Sequence, residues 1–253
     1  WLDGWMVIAN GQRPTANGIR HTADRRIIRS FFAHRSNALF LEPWNVYLTR
    51  MEDTRKPTPA VFLDRDGTLN SDPGYPSRMA DIELLPGALD AVRLLNRLPA
   101  KVVVITNQSG VARGMFSERD VRLMNAEYQA VFARADAPLA GMYYCPHHPE
   151  AVVPVYRKNC DCRKPGRALF DRAAAELGLV LENSVMVGDK YSDVIAGKRL
   201  GMRAILVLTG EGHNQLGRYR ESAPFQPDLI CEDLPAAARW IADRWKPGLG
   251  VLP

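Results

Sequence analysis

The sequence predicts an α/β fold in which a Rossmann-like parallel sheet carries helices on both faces. Two observations support this prediction: short apolar runs recur along the chain, and amphipathic helical patterns separate them. The hydrophobic fraction of 46% is ordinary for a packed globular protein and argues against disorder. Continuous apolar runs are typical of parallel strands that are buried on both faces. Helices between such strands cover the two faces of the sheet.

Six strands and five helices are predicted. The strands cover residues 60–64, 102–106, 142–145, 185–188, 204–208 and a short 228–230. The helices cover residues 87–98, 117–134, 166–178, 192–200 and 235–244. Pro86-Gly87 and Ser117 are start signals for the first two helices, and Gly201 is a stop signal. No long insertion follows the first or third strand, so no large cap domain is expected.

Residues 1–56 precede this alternation and hold most of the excess positive charge. They contain 9 Lys and Arg against 5 Asp and Glu, whereas residues 57–253 contain 24 against 23. We therefore expect that the α/β domain at 57–253 lacks the basic track needed to bind nucleic acid. Two hypotheses remain for the extension: Met51 is the natural start, with residues 1–50 as upstream translation or the tail of another domain, or residues 1–56 are a genuine extension.

The expected location is the cytoplasm, without a membrane partner. No apolar run approaches the length of a membrane span. The first residues, Trp1-Leu2-Asp3-Gly4-Trp5, also lack the basic-then-apolar pattern of a signal peptide.

Two aspartates follow the first predicted strand, in the sequence FLDRDGTLN at residues 62–70. Because strand side chains alternate between faces, Asp64 and Asp66 project to the same side at the carboxyl end. Open α/β sheets bind their ligands at that end. Together the carboxylates can bind a divalent cation while one of them attacks phosphorus. A helix cap or an Asx turn would explain one aspartate before glycine, but not two.

Three further candidates occur near strand ends or before a helix. Thr106 ends the second strand, and the small residues after it allow backbone N–H groups to approach a phosphate oxygen. Lys164 precedes a helix and can neutralise phosphoryl charge. Asp189 ends the fourth strand as a metal ligand. Asp193 fits a helix cap better than a support for the metal site.

The cysteines predict a structural zinc site. Cys145 and His147 are separated by twelve residues from Cys160 and Cys162. Three thiolates and one imidazole complete a tetrahedral zinc site without an open position. Disulfides are the alternative, but a reducing cytosol favours metal binding. The spacing alone does not decide between His147 and His148, and Cys231 is expected to be a small buried side chain.

The order of these motifs resembles the haloacid dehalogenase (HAD) superfamily of phosphotransferases from about residue 58 to 245. The resemblance implies that Asp64 is the nucleophile that forms an aspartyl-phosphate and that Asp66 is the acid and base. Thr106 and Lys164 would hold the phosphoryl oxygens. Mg²⁺ would be bound by Asp64, Asp189 and the backbone carbonyl of Asp66.

FLDRDGTLN, TNQSGVARG, YYCPHHPE and CDCRKP resemble the D-glycero-D-manno-heptose 1,7-bisphosphate 7-phosphatase family, which groups with histidinol-phosphate phosphatases. The resemblance implies that His147 is the zinc ligand and that Arg163 recognises the sugar or its 1-phosphate. The implied pocket residues are Asp72, Pro73, Gly74, Tyr75, Asn107, Gln108 and Ser109. The expected activity is Mg²⁺-dependent removal of the 7-phosphate from a small phosphorylated metabolite by a monomer.

Three alternatives remain. A histidinol-phosphate phosphatase would favour acidic residues near the loop after the second strand, whereas Arg113 and Arg163 have the opposite charge. A nucleic-acid 3′-phosphatase would require a basic track. A zinc-stabilised binding module without catalysis would not require the complete set of polar residues at the predicted site, which are Asp64, Asp66, Thr106, Lys164 and Asp189.

Overall fold

The computed structural model describes residues 58–76, 78–246 and 250–251. The predicted boundary at residue 56 and the extension before it lie outside these residues, so both remain predictions. Within the described part of the chain, no helix is long and apolar enough to cross a membrane.

Six parallel strands form the central sheet, as predicted. They are β1 (Thr58–Leu63), β2 (Lys101–Asn107), β3 (Gly141–Cys145), β4 (Leu179–Gly188), β5 (Arg203–Val207) and β6 (Leu229–Cys231). Their order is β3-β2-β1-β4-β5-β6, and every neighbouring pair is parallel. Strands β2 and β3 are added on one side of β1, and the chain then crosses back to place β4, β5 and β6 on the other side. This change of direction leaves a crevice at the carboxyl ends of β1 and β4. A short antiparallel pair, β7 (Trp245–Lys246) and β8 (Gly250–Val251), lies outside this sheet.

Helices cover both faces of the sheet. They are α1 (Ala88–Leu95), α2 (Glu118–Arg134), α3 (Ala168–Leu177), α4 (Tyr191–Arg199), α5 (Gly212–Tyr219) and α6 (Leu234–Arg244). Val61 and Leu63 belong to the core that includes residues of α1, α2 and α6. The alternate residues Ala60 and Phe62 belong to the core that includes residues of α3 and α4. Buried apolar side chains on both faces explain the continuous apolar strands.

Helix α5, the β7–β8 pair and the first half of β4 differ from the sequence prediction. Helix α5 was not predicted, because its sequence GHNQLGRY contains two glycines and few apolar residues. Strand β4 begins at Leu179, six residues earlier than predicted. The prediction started too late because polar residues interrupt the apolar run in the first half of the strand. The Ser184 hydroxyl accepts a hydrogen bond from Ala60 N–H at 2.9 Å and donates one to the Val180 carbonyl at 2.5 Å. These bonds span the irregular register between β1 and β4.

The predicted helix signals have the expected local geometry. The Ser117 hydroxyl accepts from Asp120 N–H, and the Asp120 carboxylate accepts from Ser117 N–H, which completes a capping box at α2. Gly87, before α1, and Gly201, after α4, have positive φ values of 74° and 75°. Both positions therefore favour glycine.

Candidate active site

The carboxyl ends of β1, β2 and β4 bring three predicted residues together. Asp64 directly follows β1, and its N–H donates to the Val187 carbonyl of β4 at 2.9 Å. Thr106 lies near the end of β2, and Asp189 directly follows β4. All three are at most 5% exposed. The sheet topology thus gathers side chains that are up to 125 positions apart in the chain.

Lys164 is buried among these carboxylates. Its Nζ lies 2.8 Å from Asp64 Oδ1, 2.7 Å from Asp193 Oδ1 and 2.7 Å from the Ile105 carbonyl oxygen. Burial alone would lower the pKa of Lys164, but Asp193 and Asp64 raise it above the ordinary value. The lysine is therefore a fixed positive charge beside Asp64.

Asn107 holds the backbone of Lys164. Its side-chain oxygen accepts from Lys164 N–H at 3.0 Å, and its amide donates to the Lys164 carbonyl at 3.3 Å. We predicted Asn107 as a pocket residue. It lines the cavity, but both ends of its amide are bonded to Lys164.

The Asp66 carboxylate lies in a cradle of donors. The Arg65 guanidinium donates to both of its oxygens at 2.9 Å, Asn70 donates to Oδ1 at 3.0 Å, and Gln108 donates to Oδ2 at 2.8 Å. Burial favours a higher pKa for Asp66, but Arg65, Asn70 and Gln108 lower the pKa below the ordinary value. Asp66 is therefore held as a carboxylate. Gln108 also donates to the Thr106 hydroxyl at 2.9 Å, which links this cradle to the predicted phosphate site.

The acidic cluster fits a divalent cation. Oxygens of Asp64, Asp189 and Asp193 lie within 4.8 Å of one another. Burial and the Asp64 charge raise the pKa of Asp189 to about 8. Asp189 Oδ2 accepts from Glu211 N–H at 2.9 Å, but no described residue donates to its buried Oδ1. A buried carboxylate oxygen without a partner and an all-oxygen donor set match the ligand chemistry of Mg²⁺.

Asp193 has more contacts than a helix cap alone would explain. One oxygen accepts from Lys190 N–H at 3.1 Å and caps α4, as predicted. The other binds Lys164, and the side chain is fully buried. Burial raises the pKa of Asp193 to about 6 although Lys164 opposes this shift. Asp193 therefore supports the lysine as well as the helix.

Two glycines allow a close approach to Asp189. A Cβ on Gly67 would lie 2.1 Å from Asp189 Oδ2, and one on Gly210 would lie 2.4 Å from the same oxygen. Thr209 holds these loops together by donating to the Gly67 carbonyl at 2.6 Å. The space around Asp189 thus depends on the absence of side chains at two turns.

The four predicted zinc ligands form a compact cluster. The three Sγ–Sγ distances among Cys145, Cys160 and Cys162 are 3.1, 3.2 and 3.5 Å, and none of these cysteines is in a disulfide. His147 Nδ1 lies 3.1 Å from Cys162 Sγ, whereas His148 Nδ1 accepts from Glu150 N–H. The ligand atoms of Cys145, His147, Cys160 and Cys162 lie within 4.8 Å of one another, so this cluster could hold a metal ion, and His147 rather than His148 belongs to it.

A cavity of about 470 Å³ opens above the carboxylates. It is lined by Asp64, Asp66, Asp72, Gly74, Tyr75, Pro76, Thr106, Asn107, Gln108, Ser109, Arg163, Lys164, Lys190, Ser192 and Glu211. Pro73, which we predicted, is not among these lining residues. Lys190 and Glu211 were missed, although both follow strands and the same strand-end rule could have found them.

Comparison with known proteins identifies close relatives. A family model described as "HAD-hyrolase-like" matches residues 161–237. The D-glycero-beta-D-manno-heptose-1,7-bisphosphate 7-phosphatase of Escherichia coli O6:H1 is 42% identical over 157 residues, which cover 62% of this chain and 83% of that protein. The D-glycero-D-manno-heptose-1,7-bisphosphate 7-phosphatase of Thermosynechococcus vestitus is 42% identical over 196 residues, which cover 76% of this chain and 99% of that protein.

Solved structures agree with these relatives. The D,D-heptose 1,7-bisphosphate phosphatase from B. bronchiseptica, complexed with magnesium and phosphate, has a TM-score of 0.62 and 31% identity, covering 72% of this chain and 96% of that one. A putative HAD-like phosphatase from Mesorhizobium loti has a TM-score of 0.60 and 35% identity, covering 72% and 87% of the two chains. The similarity confirms the expected HAD-like fold.

Proposed function

Because this chain belongs to the family of D-glycero-D-manno-heptose-1,7-bisphosphate 7-phosphatases, we propose that it hydrolyses the 7-phosphate of that sugar bisphosphate. One observation carries the assignment to this site. Asp64 and Lys164 line an open cavity, and the buried Asp189 places a carboxylate oxygen within 4.8 Å of Asp64. The cavity volume of about 470 Å³ lies within the usual range for a small-molecule site.

Asp64 is the proposed nucleophile. Its hydrogen bonds within the described residues, from Arg65 N–H at 2.7 Å and from Lys164 Nζ at 2.8 Å, both fall on Oδ1. Oδ2 is therefore available to attack phosphorus, which breaks the bond between phosphorus and the C7 oxygen. Phosphoryl transfer depends mainly on positioning and charge neutralisation, and Lys164 and Thr106 supply both to the phosphoryl oxygens.

Asp66 is the proposed acid and base. In the first step its side chain gives a proton to the departing C7 oxygen. In the second step its carboxylate form, which the surrounding donors stabilise, takes a proton from water. The water oxygen then attacks the aspartyl-phosphate and regenerates Asp64. The dianionic phosphoryl group favours the protonated form in the first step because a nearby negative charge raises the pKa of a carboxyl group.

Two metal ions complete the proposal. Asp64, Asp189 and the Asp66 carbonyl would hold Mg²⁺, which neutralises phosphoryl charge when it is bound. Cys145, His147, Cys160 and Cys162 would hold a structural Zn²⁺ that fixes the loop before Arg163. Metal binding requires reduced thiols, which supports a cytoplasmic location. A monomeric state is part of the same proposal, and a sedimentation experiment tests it.

A phosphate-release panel tests the substrate. It compares both anomers of the heptose bisphosphate with fructose 1,6-bisphosphate and histidinol phosphate in the presence of Mg²⁺. The highest kcat/KM is expected for a heptose bisphosphate, and faster turnover of histidinol phosphate would refute this substrate.

The variant Asp64→Asn tests the nucleophile. It should abolish phosphate release while the circular dichroism spectrum is unchanged. Residual turnover within tenfold of wild type would exclude Asp64 as the nucleophile.

A further inference from the structure

Helix α2 contacts the side chains that surround Asp66, although it contributes no residue to the cavity lining. Its residue Tyr128 is fully buried, and the tyrosine hydroxyl donates to Asn70 Oδ1 at 3.0 Å. Asn70 is fully buried as well, and its amide nitrogen donates to Asp66 Oδ1 at 3.0 Å. Neither Tyr128 nor Asn70 is among the residues that line the cavity. Two hydrogen bonds in series therefore connect the interior of the protein to Asp66.

The side chain of Asn70 has a hydrogen-bond partner at each end of its amide. The nitrogen donates to Asp66 Oδ1 and, at 2.6 Å, to the Ser71 carbonyl, whereas the oxygen accepts from Tyr128. An asparagine amide has nearly the same shape in both orientations, so its partners decide which end is the donor. In the reverse orientation the amide oxygen would face two acceptors, the Asp66 carboxylate and the Ser71 carbonyl. The Tyr128 proton therefore supports the orientation in which Asn70 donates to Asp66.

Packing fixes the position of the Tyr128 hydroxyl. The Tyr128 ring stacks on Phe132, with ring centroids 4.9 Å apart and an interplanar angle of 16°. Burial raises the pKa of Tyr128 above its ordinary value, so the hydroxyl keeps its proton. One turn earlier on the same face of α2, Met124 Sδ accepts from Arg65 Nη1 at 4.0 Å. The helix thus contacts two of the three side chains that donate to Asp66.

The backbone around Asn70 is held without this tyrosine. Asn70 N–H donates to the Arg65 carbonyl at 3.2 Å, and the Asn70 carbonyl accepts from Gly67 N–H at 2.7 Å. Because the turn after β1 closes on itself, loss of the tyrosine hydroxyl would release the amide and leave the turn in place. Phenylalanine would fill the same space without a buried polar atom, so packing alone does not require the hydroxyl.

We propose that Tyr128 is a positioning residue for Asp66 and that it acts through Asn70. This inference rests on the proposed function and deepens it, because it names the contact that aims the acid–base carboxyl group at the departing oxygen and at the attacking water. A group that transfers a proton must lie within hydrogen-bond reach of the reacting atom, so a small displacement of Asp66 slows both steps. Tyr128 does not touch the substrate, so its replacement should leave substrate binding unchanged.

Tyr128→Phe tests this inference on the best substrate of the phosphate-release panel. The change leaves Asn70 Oδ1 without its tyrosine donor, which favours rotation of the amide. We expect kcat to fall about 10-fold, a part of the roughly 10²–10⁴-fold that general acid–base catalysis contributes, while KM changes less than about twofold.

Tyr143→Phe is the matched control. Tyr143 is also buried, and its hydroxyl donates to Glu176 Oε2 at 2.9 Å, but neither residue lines the cavity. This variant loses one side-chain hydrogen bond of the same kind and should keep the kcat and KM of the wild type. A loss of kcat in Tyr143→Phe equal to that in Tyr128→Phe would overturn the inference, because the effect would then not depend on Asp66.

A double-mutant cycle with Asp66→Asn separates positioning from a general structural role. Asp66→Asn alone should lower kcat about 100-fold or more. If Tyr128 acts through Asp66, adding Tyr128→Phe to Asp66→Asn should change kcat less than about twofold further. Losses that multiply in the double variant would assign Tyr128 to the stability of the fold and would overturn the inference.

The remaining outcomes distinguish this inference from the proposed function. A wild type that releases phosphate from no member of the panel, or full activity in Asp66→Asn, would overturn the proposed mechanism and the role of Tyr128 together. A large loss in Asp66→Asn with an unchanged kcat in Tyr128→Phe would overturn the role of Tyr128 alone.

Discussion

Replacing Lys164 by Met tests whether this lysine holds the acidic cluster together. Its side chain is 1% exposed, and Nζ lies within 2.8 Å of both Asp64 and Asp193. Methionine fills a similar apolar volume without the charge. Removal of one partner from a buried ion pair costs about 3–5 kcal/mol, because the remaining charge is buried without compensation. We expect a loss of that size in the free energy of unfolding.

Urea titrations of the full chain without added divalent ions measure this loss. Lys198→Met is the matched control. Lys198 Nζ lies 2.8 and 3.0 Å from the two Asp228 oxygens, but its side chain is 27% exposed. Because solvent screens such a pair, the control should lose no more than about 1 kcal/mol. Equal losses in the two lysine variants would refute the argument from burial.

A second substitution tests the cause. Adding Asp193→Asn to Lys164→Met removes one of the two carboxylates that lose their partner when Lys164 is replaced. The asparagine keeps an oxygen that can cap α4. The double variant should recover about 1–3 kcal/mol relative to Lys164→Met, because contacting residues are energetically coupled. A double variant that is no more stable than Lys164→Met would show that lost packing, rather than unbalanced charge, causes the destabilisation.

Two further changes test the metal sites. Gly210→Ala should lower kcat at least 100-fold in a phosphate-release assay because its Cβ would lie 2.4 Å from Asp189 Oδ2. A Cβ on Gly217 would meet no described atom within 4 Å beyond its own stretch of helix, so Gly217→Ala should keep full activity and gain about 0.5–1 kcal/mol of helix stability. Cys160→Ser should lower bound zinc well below one per chain by elemental analysis, while Cys231→Ser should retain about one; equal zinc contents would contradict the proposed ligand set.

Local patterns were sufficient for the elements that define the reaction. The strands before Asp64, Thr106 and Asp189 are apolar runs whose polar residues begin where the strand ends. Because parallel strands share one ligand-binding edge, this pattern predicted which residues meet. The Ser117 capping box was equally visible, since its two hydrogen bonds connect residues only three positions apart.

Other features depend on contacts between distant segments. The amide of Asn107 is bonded to Lys164, 57 positions away. The family resemblance implied a place in the pocket for Asn107, but its neighbours in sequence do not reveal this second role. The sequence patterns assigned no role to Arg65, but it is fully buried and binds Asp66. The polar first half of β4 pairs with β1 although its composition did not predict a strand.

The sequence by itself determined the kind of chemistry, because residue types at strand ends and the spacing of cysteines and histidine specify oxygen and sulfur ligands. Only the tertiary structure decided how these groups are used. It orients His147 rather than His148 toward the cysteines and pairs Lys164 with two carboxylates. The physical reason is that reactivity follows residue type, whereas burial and partner choice follow the packing of segments that are far apart in the chain.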